Sequence, residues 1–167
     1  MNKQNVVLIG MPASGKSTIG VVLAKTLGVG FVDTDLIIQQ REKRLLQDII
    51  NTDGLEKFLD CERDAIISQK YENCVISTGG SAVFRADAMQ YLKNDGIIVF
   101  IDVGIDTLKK RLSNIKTRGI AASAGQSVES IYNERIALYK KYADITLTVE
   151  NENVEQSVEK LINLIKQ

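Results

Sequence analysis

The sequence predicts a three-layer α/β domain in which a five-stranded parallel sheet lies between helices on both of its faces. Short runs of apolar, often β-branched residues alternate along the chain with longer segments of helical periodicity. The apolar runs are short enough for strands, and the segments between them are long enough for crossover helices. Strands of this kind are typical of a parallel sheet buried on both faces.

The elements follow in a regular order. The predicted strands are NVVLIG, GFVDTD, CVISTGG, IIVFIDV and DITLTV. The predicted helices cover KSTIGVVLAKTLG, a region from about 35 to 70 with a break near 51–54, and the segments near 86–94, 105–113, 128–142 and 154–166. No repeat or linker interrupts this order, so we expect one domain over residues 1–167.

The composition of the chain argues against several classes of function. Lys+Arg and Asp+Glu each number 21, so no basic excess favours nucleic acid or an anionic membrane as a partner. No apolar run reaches bilayer length and no signal peptide is recognisable. We therefore expect a cytoplasmic protein with small-molecule partners, and separately we expect a monomer. The chain has no histidine, which excludes histidine-dependent hydrolases, and its two cysteines, Cys61 and Cys74, are interpreted as reduced packing residues.

The segment GMPASGKS between the first strand and the first helix fits the phosphate-binding pattern G-x-x-x-x-G-K-[ST]. Backbone N–H groups of such a loop turn toward the β-phosphate, and the helix N-terminus adds partial positive charge. Lys16 is predicted to contact the β- and γ-phosphate oxygens, and the Ser17 hydroxyl to ligate Mg²⁺. The predicted nucleotide site comprises Gly10, Ala13, Ser14, Gly15, Lys16, Ser17 and Thr18.

Asp33 and Asp35 follow the second predicted strand, at the sheet edge where ligands bind in open α/β folds. Alternation along a strand places both carboxylates on one face. Asp33 is then a candidate Mg²⁺ ligand, directly or through water, and Asp35 a candidate acceptor for the proton of a substrate hydroxyl. The alternative is that one of them only caps the next helix, with Asp35 the stronger candidate for that role.

The segment RGIAASAGQS has little apolar content and several residues too small to anchor it. It is predicted to be a surface segment able to move, either a lid or an ordinary loop.

In these motifs the sequence resembles the shikimate kinases, over nearly its whole length. Besides the phosphate-binding loop and the D-x-D pair, it carries GLEKFLDCE at 54–62, TGGS at 78–81, RGI at 118–120 and RIALY at 135–139, in the family's order. The resemblance implies a P-loop kinase fold with a substrate-binding helical region at about 35–62 and a mobile lid at about 113–127.

The resemblance also implies roles for individual residues. Lys16, Asp35 and the lid residue Arg118 would be catalytic, with Arg118 closing over the transferred phosphate. Arg111 would lie against adenine, Arg135 would bind a substrate carboxylate, and the backbone of Gly79 and Gly80 would bind substrate oxygens. The implied activity is ATP- and Mg²⁺-dependent phosphorylation of a hydroxyl on a small anionic metabolite, with shikimate as the leading candidate.

Three positions depart from the family pattern, and all three concern the acceptor side. Leu59 stands where the family has a carboxylate-binding arginine, Ser81 stands where it has a third glycine, and Gly119 stands where it has a lid proline. A leucine cannot make a charge-assisted contact. Arg63, one helical turn after Leu59, is a candidate replacement, or else a solvated partner of acidic neighbours on its helix. A kinase for another hydroxylated acid and a nucleotide-binding module without transfer remain alternatives.

Overall fold

The computed structural model describes residues 5–113, 119–123 and 125–167. Five parallel strands form one sheet in the order β2-β3-β1-β4-β5. The strands are β1 (Asn5–Ile9), β2 (Gly30–Asp33), β3 (Cys74–Ser77), β4 (Gly96–Val103) and β5 (Ile145–Val149). Helices cover both faces of this sheet, which confirms the predicted three-layer α/β architecture.

The position of β1 at the centre of the sheet decides where a ligand can bind. It pairs with β3 on one side, as in Val7 with Ile76, and with β4 on the other, as in Val7 with Ile98. The strands that follow β1 in the chain lie on both sides of it, β2 and β3 on one side and β4 and β5 on the other. A crevice therefore opens outside the carboxyl end of β1. The loop that follows β1 therefore lies at the crevice.

Eight α-helices occur in the described part of the chain. They are α1 (Lys16–Leu27), α2 (Thr34–Glu42), α3 (Leu46–Asp53), α4 (Leu55–Ile67), α5 (Ala86–Asp95), α6 (Ile105–Ser113), α7 (Val128–Tyr142) and α8 (Val154–Ile165). The break near 51–54 lies at Gly54, as expected. A second break at 43–45 was not predicted: Lys43 has the left-handed φ of 53° without being glycine, so the sequence carries no turn signal there.

Two apolar clusters stabilise the molecule. The larger one surrounds the sheet and includes the fully buried residues Val7, Leu8, Val75 and Val99. The smaller one joins α2, α3 and α4 through side chains such as Ile38, Ile49 and Phe58, whereas Ile66 of α4 belongs to the larger cluster. The three helices thus form one wall of the crevice at the carboxyl edge of the sheet.

None of the helices in the described ranges is long and apolar enough to cross a membrane. Cys61 and Cys74 are both free and buried, and burial raises the pKa of each thiol, which agrees with packing roles.

Candidate active site

The loop between β1 and α1 has the backbone that an anion-binding turn requires. Gly10 and Gly15 adopt φ angles of 146° and 94°, and Ala13 adopts 63°. Positive φ angles of this kind are strained for residues with a side chain, which explains the glycines at both ends of the loop. A side chain on Gly10 would also lie 2.7 Å from the carbonyl oxygen of Ile101. The loop leads into the N-terminus of α1, whose unpaired N–H groups favour a phosphate.

Lys16 lies over this loop. Its Nζ donates to the carbonyl oxygens of Gly10 and Met11 at 2.9 and 2.8 Å. Arg111, from the last turn of α6, donates through Nη1 to the carbonyl oxygen of Ala13 at 3.0 Å. The two cations therefore lie on the loop where the phosphates of a nucleotide would bind, and Arg111 links α6 to it.

The residues predicted to hold Mg²⁺ lie together. The Ser17 hydroxyl donates to Oδ2 of Asp33 at 2.8 Å and lies 3.2 Å from the hydroxyl of Ser77, at the end of β3. A hydroxyl and a carboxylate, completed by waters and phosphate oxygens, are the kind of ligand set that Mg²⁺ uses. These donor atoms are suited to Mg²⁺. Ser77, which contacts Ser17, is a residue of this site that the sequence analysis does not identify.

The two aspartates after β2 are arranged differently from the prediction. Asp33 ends the strand and caps α2, accepting through Oδ1 from the backbone N–H of Asp35 at 3.0 Å. Asp35 lies in the first turn of α2, so strand alternation does not apply to it. The cap is Asp33 and not Asp35, because α2 begins at Thr34, one residue after the strand ends. Both carboxylates nevertheless reach the same cavity.

This cavity, of about 260 Å³, is bounded by the phosphate-binding loop, the starts of α1 and α2, the wall formed by α3 and α4, the loop after β3, the segment 119–121 and α7. Most of the predicted site residues line it. They are Ala13, Gly15, Lys16, Ser17, Thr18, Asp33, Asp35, Gly79, Gly80 and Arg135. The loop residues Gly10 and Ser14 are not part of its lining, nor is Arg111, and Arg118 lies outside the described residues.

Arg135 enters the cavity from α7 and is only 1% exposed. Its Nη2 donates to the carbonyl oxygen of Ala121, its guanidinium lies 5.3 Å from the centre of the Phe84 ring, and its Nε has no partner among the described residues. A buried guanidinium with an unused donor is suited to a carboxylate ligand.

Tyr139 ends the RIALY motif, one turn after Arg135 on α7, and the motif alone predicts no role for it. Its hydroxyl donates to the carbonyl oxygen of Gly80 at 2.6 Å, and its ring stacks on Phe100 at 5.2 Å. The residue thereby fixes the loop after β3 relative to Arg135.

Glu62, the last residue of the GLEKFLDCE motif and part of α4, is the main site residue to which sequence reasoning assigns no role. It is 1% exposed, its Oε2 accepts from the hydroxyl of Ser81 at 2.6 Å, and its Oε1 has no partner among the described residues. Burial raises the pKa of this carboxyl to about 7, with Asp35 adding to the rise and Ser81, Arg135 and Lys16 opposing it. The sequence did contain a signal, since Glu62 falls on the buried stripe of α4.

A prediction about stability follows from Glu62. Between pH 4.5 and about 7 the folded protein binds a proton on the Glu62 carboxyl group more tightly than the unfolded chain does. The free energy of unfolding should therefore fall as pH rises through that range. The expected loss from this group is roughly 3 kcal/mol. Urea denaturation at several pH values should show this slope in the native sequence and in Asp64→Asn, an exposed control on the same helix, but not in Glu62→Gln. Parallel profiles for all three proteins would contradict it.

Arg63 does not reach the cavity. It lies on the outer side of α4 beside Asp60, Asp64 and Asp87, at 3.4, 2.8 and 3.8 Å. The expectation that it replaces the family arginine is therefore not met, because a helix turns consecutive positions away from each other: Glu62 points inward and Arg63 outward. Its position fits the alternative prediction, in which Arg63 is a solvated partner of acidic neighbours on its helix.

Leu59 is also outside the lining of the cavity. It is 5% exposed and packs in the smaller apolar cluster, beside Ile49 and Phe58. Ser81, by contrast, lines the cavity and donates to Glu62. The leucine thus adds apolar packing to α4 and no charge to the site, whereas the serine adds a hydrogen-bond donor.

Gly119, in the described part of the predicted lid, lies directly against α3. A Cβ added to Gly119 would lie 2.4 Å from Cβ of Leu46 and 2.8 Å from the backbone nitrogen of Gln47. Ala121, two residues later, belongs to the smaller apolar cluster. This contact closes one side of the cavity, and it requires a residue without a side chain at position 119.

We expect Gly119→Ala to lower kcat/KM for the acceptor roughly tenfold or more, because segment 119–121 could no longer rest on α3 and exclude water. The matched control is Gly104→Ala, since nothing lies within 4 Å of the added methyl group. Initial rates at varied acceptor concentration measure the effect. Equal kcat/KM values for both variants would show that the contact is not used.

Comparisons with known proteins agree with this geometry. The family model described as "Shikimate kinase" matches residues 12–166. A shikimate kinase from a Sulfurihydrogenibium species is 32% identical over 98% of both chains, and one from Trichormus variabilis is 35% identical over 98% of this chain and 89% of the relative. Among solved structures, the shikimate kinase of Acinetobacter baumannii in complex with shikimate superposes with a TM-score of 0.89 at 26% identity, covering 98% and 93% of the two chains. That of Aquifex aeolicus has a TM-score of 0.80 at 30% identity, with 97% and 96% covered.

Proposed function

The chain belongs to the shikimate kinase family, and we propose that it transfers the γ-phosphate of ATP to a hydroxyl group of shikimate. The observation that carries the proposal is the single cavity that joins the phosphate-binding loop to Asp35 and Arg135. One end of this cavity has the backbone and cations that a nucleotide needs, and the other has a carboxylate and a buried guanidinium suited to a hydroxylated acid.

At the nucleotide end, the loop backbone and the N-terminus of α1 bind phosphate oxygens, and the Lys16 ammonium exchanges its loop carbonyls for them. Ser17 and Asp33 are the residues that would hold Mg²⁺. When bound, the metal ion neutralises charge on the phosphates during transfer. Arg118 is proposed to add positive charge over the transferred group.

At the acceptor end, Arg135 binds the carboxylate of the substrate and thereby sets the orientation of its ring. Asp35, held in the first turn of α2 by the Asp33 cap, accepts a hydrogen bond from the substrate hydroxyl and takes its proton as the new P–O bond forms. The hydroxyl oxygen attacks phosphorus and ADP leaves. Most of the rate enhancement arises from positioning and charge, since the protein forms no covalent bond to the phosphate.

The proposal includes the setting of the enzyme. The chain would act as a monomer in the cytoplasm, where ATP is supplied, with small molecules as its partners. Its balance of 21 basic and 21 acidic residues gives no electrostatic basis for binding a polyanion.

A second candidate is transfer to a different hydroxylated acid. The observation in its favour is Leu59, buried in the smaller apolar cluster where the family pattern has a carboxylate-binding arginine. Among the described residues that line the cavity, Arg135 is the cation at the acceptor end. An acceptor with a less exposed or weaker anionic group fits that arrangement.

The test compares ADP release from Mg²⁺ and ATP with no acceptor, with shikimate, and with shikimate methyl ester. The proposal predicts strong stimulation by shikimate and a far higher KM for the ester, because the ester lacks the charge that Arg135 binds. Stimulation by neither compound would contradict the proposed acceptor. Equal stimulation by both would favour the second candidate.

A further inference from the structure

Glu62 has a position that the proposed reaction does not use. Its carboxyl group is buried in the wall of the acceptor end, and a Cβ added to Gly79 would lie 2.2 Å from its Oε1 and 3.0 Å from Oδ1 of Asp35. Two carboxyl groups therefore approach the same point of the substrate-binding loop. Two acids this close resist ionising together, so one of them tends to keep its proton.

The hydrogen bonds of Glu62 show where that proton can lie. Oε2 already accepts from the Ser81 hydroxyl at 2.6 Å, whereas Oε1 has no partner among the described residues. A buried carboxylate oxygen without a donor is costly, but a neutral carboxyl group in the same place is not. Oε1 is buried against the backbone of Gly79, in the loop after β3 that lines the acceptor end of the cavity.

The charges at the acceptor end make this proton consequential. Asp35 from α2 and Arg135 from α7 act on Glu62, as does Lys16 from the nucleotide end, and Tyr139 lies close enough to be affected by it. Leu59 supplies no cation. If Glu62 is ionised, it and Asp35 together outweigh the single charge of Arg135. If Glu62 is neutral, the guanidinium remains available to an anionic ligand.

We propose that Glu62 is a specificity-determining residue, and that its carboxyl group must carry a proton for the carboxylate of the acceptor to bind beside Arg135. The inference rests on the proposed function, because it concerns the same acceptor site. Binding of the acceptor is then coupled to protonation of Glu62, because the anionic substrate binds the form of the protein in which Glu62 is neutral. Ionisation of Glu62 places a second negative charge next to the ligand and weakens its binding, with a smaller effect at the nucleotide end, where Lys16 has the weakest influence among the groups that act on Glu62.

The experiment is the pH dependence of the KM for shikimate between pH 6 and 8.5, a range in which the substrate carboxylate stays ionised. Since only the protonated fraction binds, the KM at pH 8 should be about tenfold higher than at pH 6, and the KM for ATP should change little. Glu62→Gln keeps an uncharged group of similar shape and should give a flat profile. Asp64→Asn, the exposed control on the same helix, should keep the rise.

A second variant keeps the test decisive if Glu62→Gln folds poorly. Ser81→Ala removes the donor that stabilises ionised Glu62, so the rise in KM should move to higher pH. A merely structural role for either residue would not shift the profile along the pH axis. Stimulation by shikimate with a KM that is constant from pH 6 to 8.5 would overturn the inference and leave the proposed function intact. No stimulation at any pH would overturn the proposed function and the inference with it.

Discussion

Asp35→Asn is expected to lower kcat for shikimate phosphorylation by roughly 100- to 1000-fold, with little change in the KM for ATP. The amide has nearly the shape of the carboxylate but cannot take the proton of the acceptor hydroxyl. The side chain lines the cavity, and the cap that orients the start of α2 belongs to Asp33, so the substitution should leave the helix in place.

Asp48→Asn is the matched control for this variant. Asp48 occupies the first turn of α3 and is exposed, so it shares the helical position of Asp35 without its access to the cavity. Steady-state rates of ADP release at saturating ATP and shikimate give kcat for both. A kcat for Asp35→Asn within threefold of the native value would remove Asp35 from the chemical step.

Arg135→Met is expected to raise the KM for shikimate by about 100-fold or more, while the KM for ATP changes only a few-fold. A charge-assisted contact of a buried guanidinium with a carboxylate is worth several kcal/mol when one partner is removed. Methionine retains an apolar side chain beside Phe84 but has no charge. Lys140→Met, an exposed cation on the same helix, is the control and should bind both substrates normally.

The comparison is made by varying shikimate at saturating ATP, and ATP at saturating shikimate. Because Arg135 also donates to Ala121, the variant should lose some stability, and thermal unfolding of both proteins separates that loss from a change in binding. A KM for shikimate that stays within threefold of the native value, as in the control, would place the substrate carboxylate elsewhere.

Sequence reasoning predicted the sheet and most helices because their signals are local. A buried parallel strand reads as a short apolar run, and the bounds of α6 and α7 follow from periodicity alone. The phosphate-binding loop was equally accessible, since its pattern includes the glycines that its backbone requires. The break at Lys43 was not, because a left-handed residue other than glycine leaves no mark in the sequence.

The acceptor end was harder to predict because it depends on which face of a helix each residue occupies. Arg63 was considered as a cavity residue and lies outside, whereas Glu62, its neighbour, lies inside. The link between Ser81 and Glu62 joins positions 19 residues apart, and only the packing of α4 against the loop after β3 brings them together. A motif identifies such residues, but the charge that each carries is set by its three-dimensional surroundings.

The most direct test of the central claim is to identify the product by ³¹P NMR after incubating the protein with Mg²⁺, ATP and shikimate. Transfer to the acceptor predicts a phosphate monoester resonance that grows in step with ADP and does not form without shikimate. Release of inorganic phosphate alone, or no consumption of ATP, would contradict the assignment of this cavity to phosphorylation of shikimate.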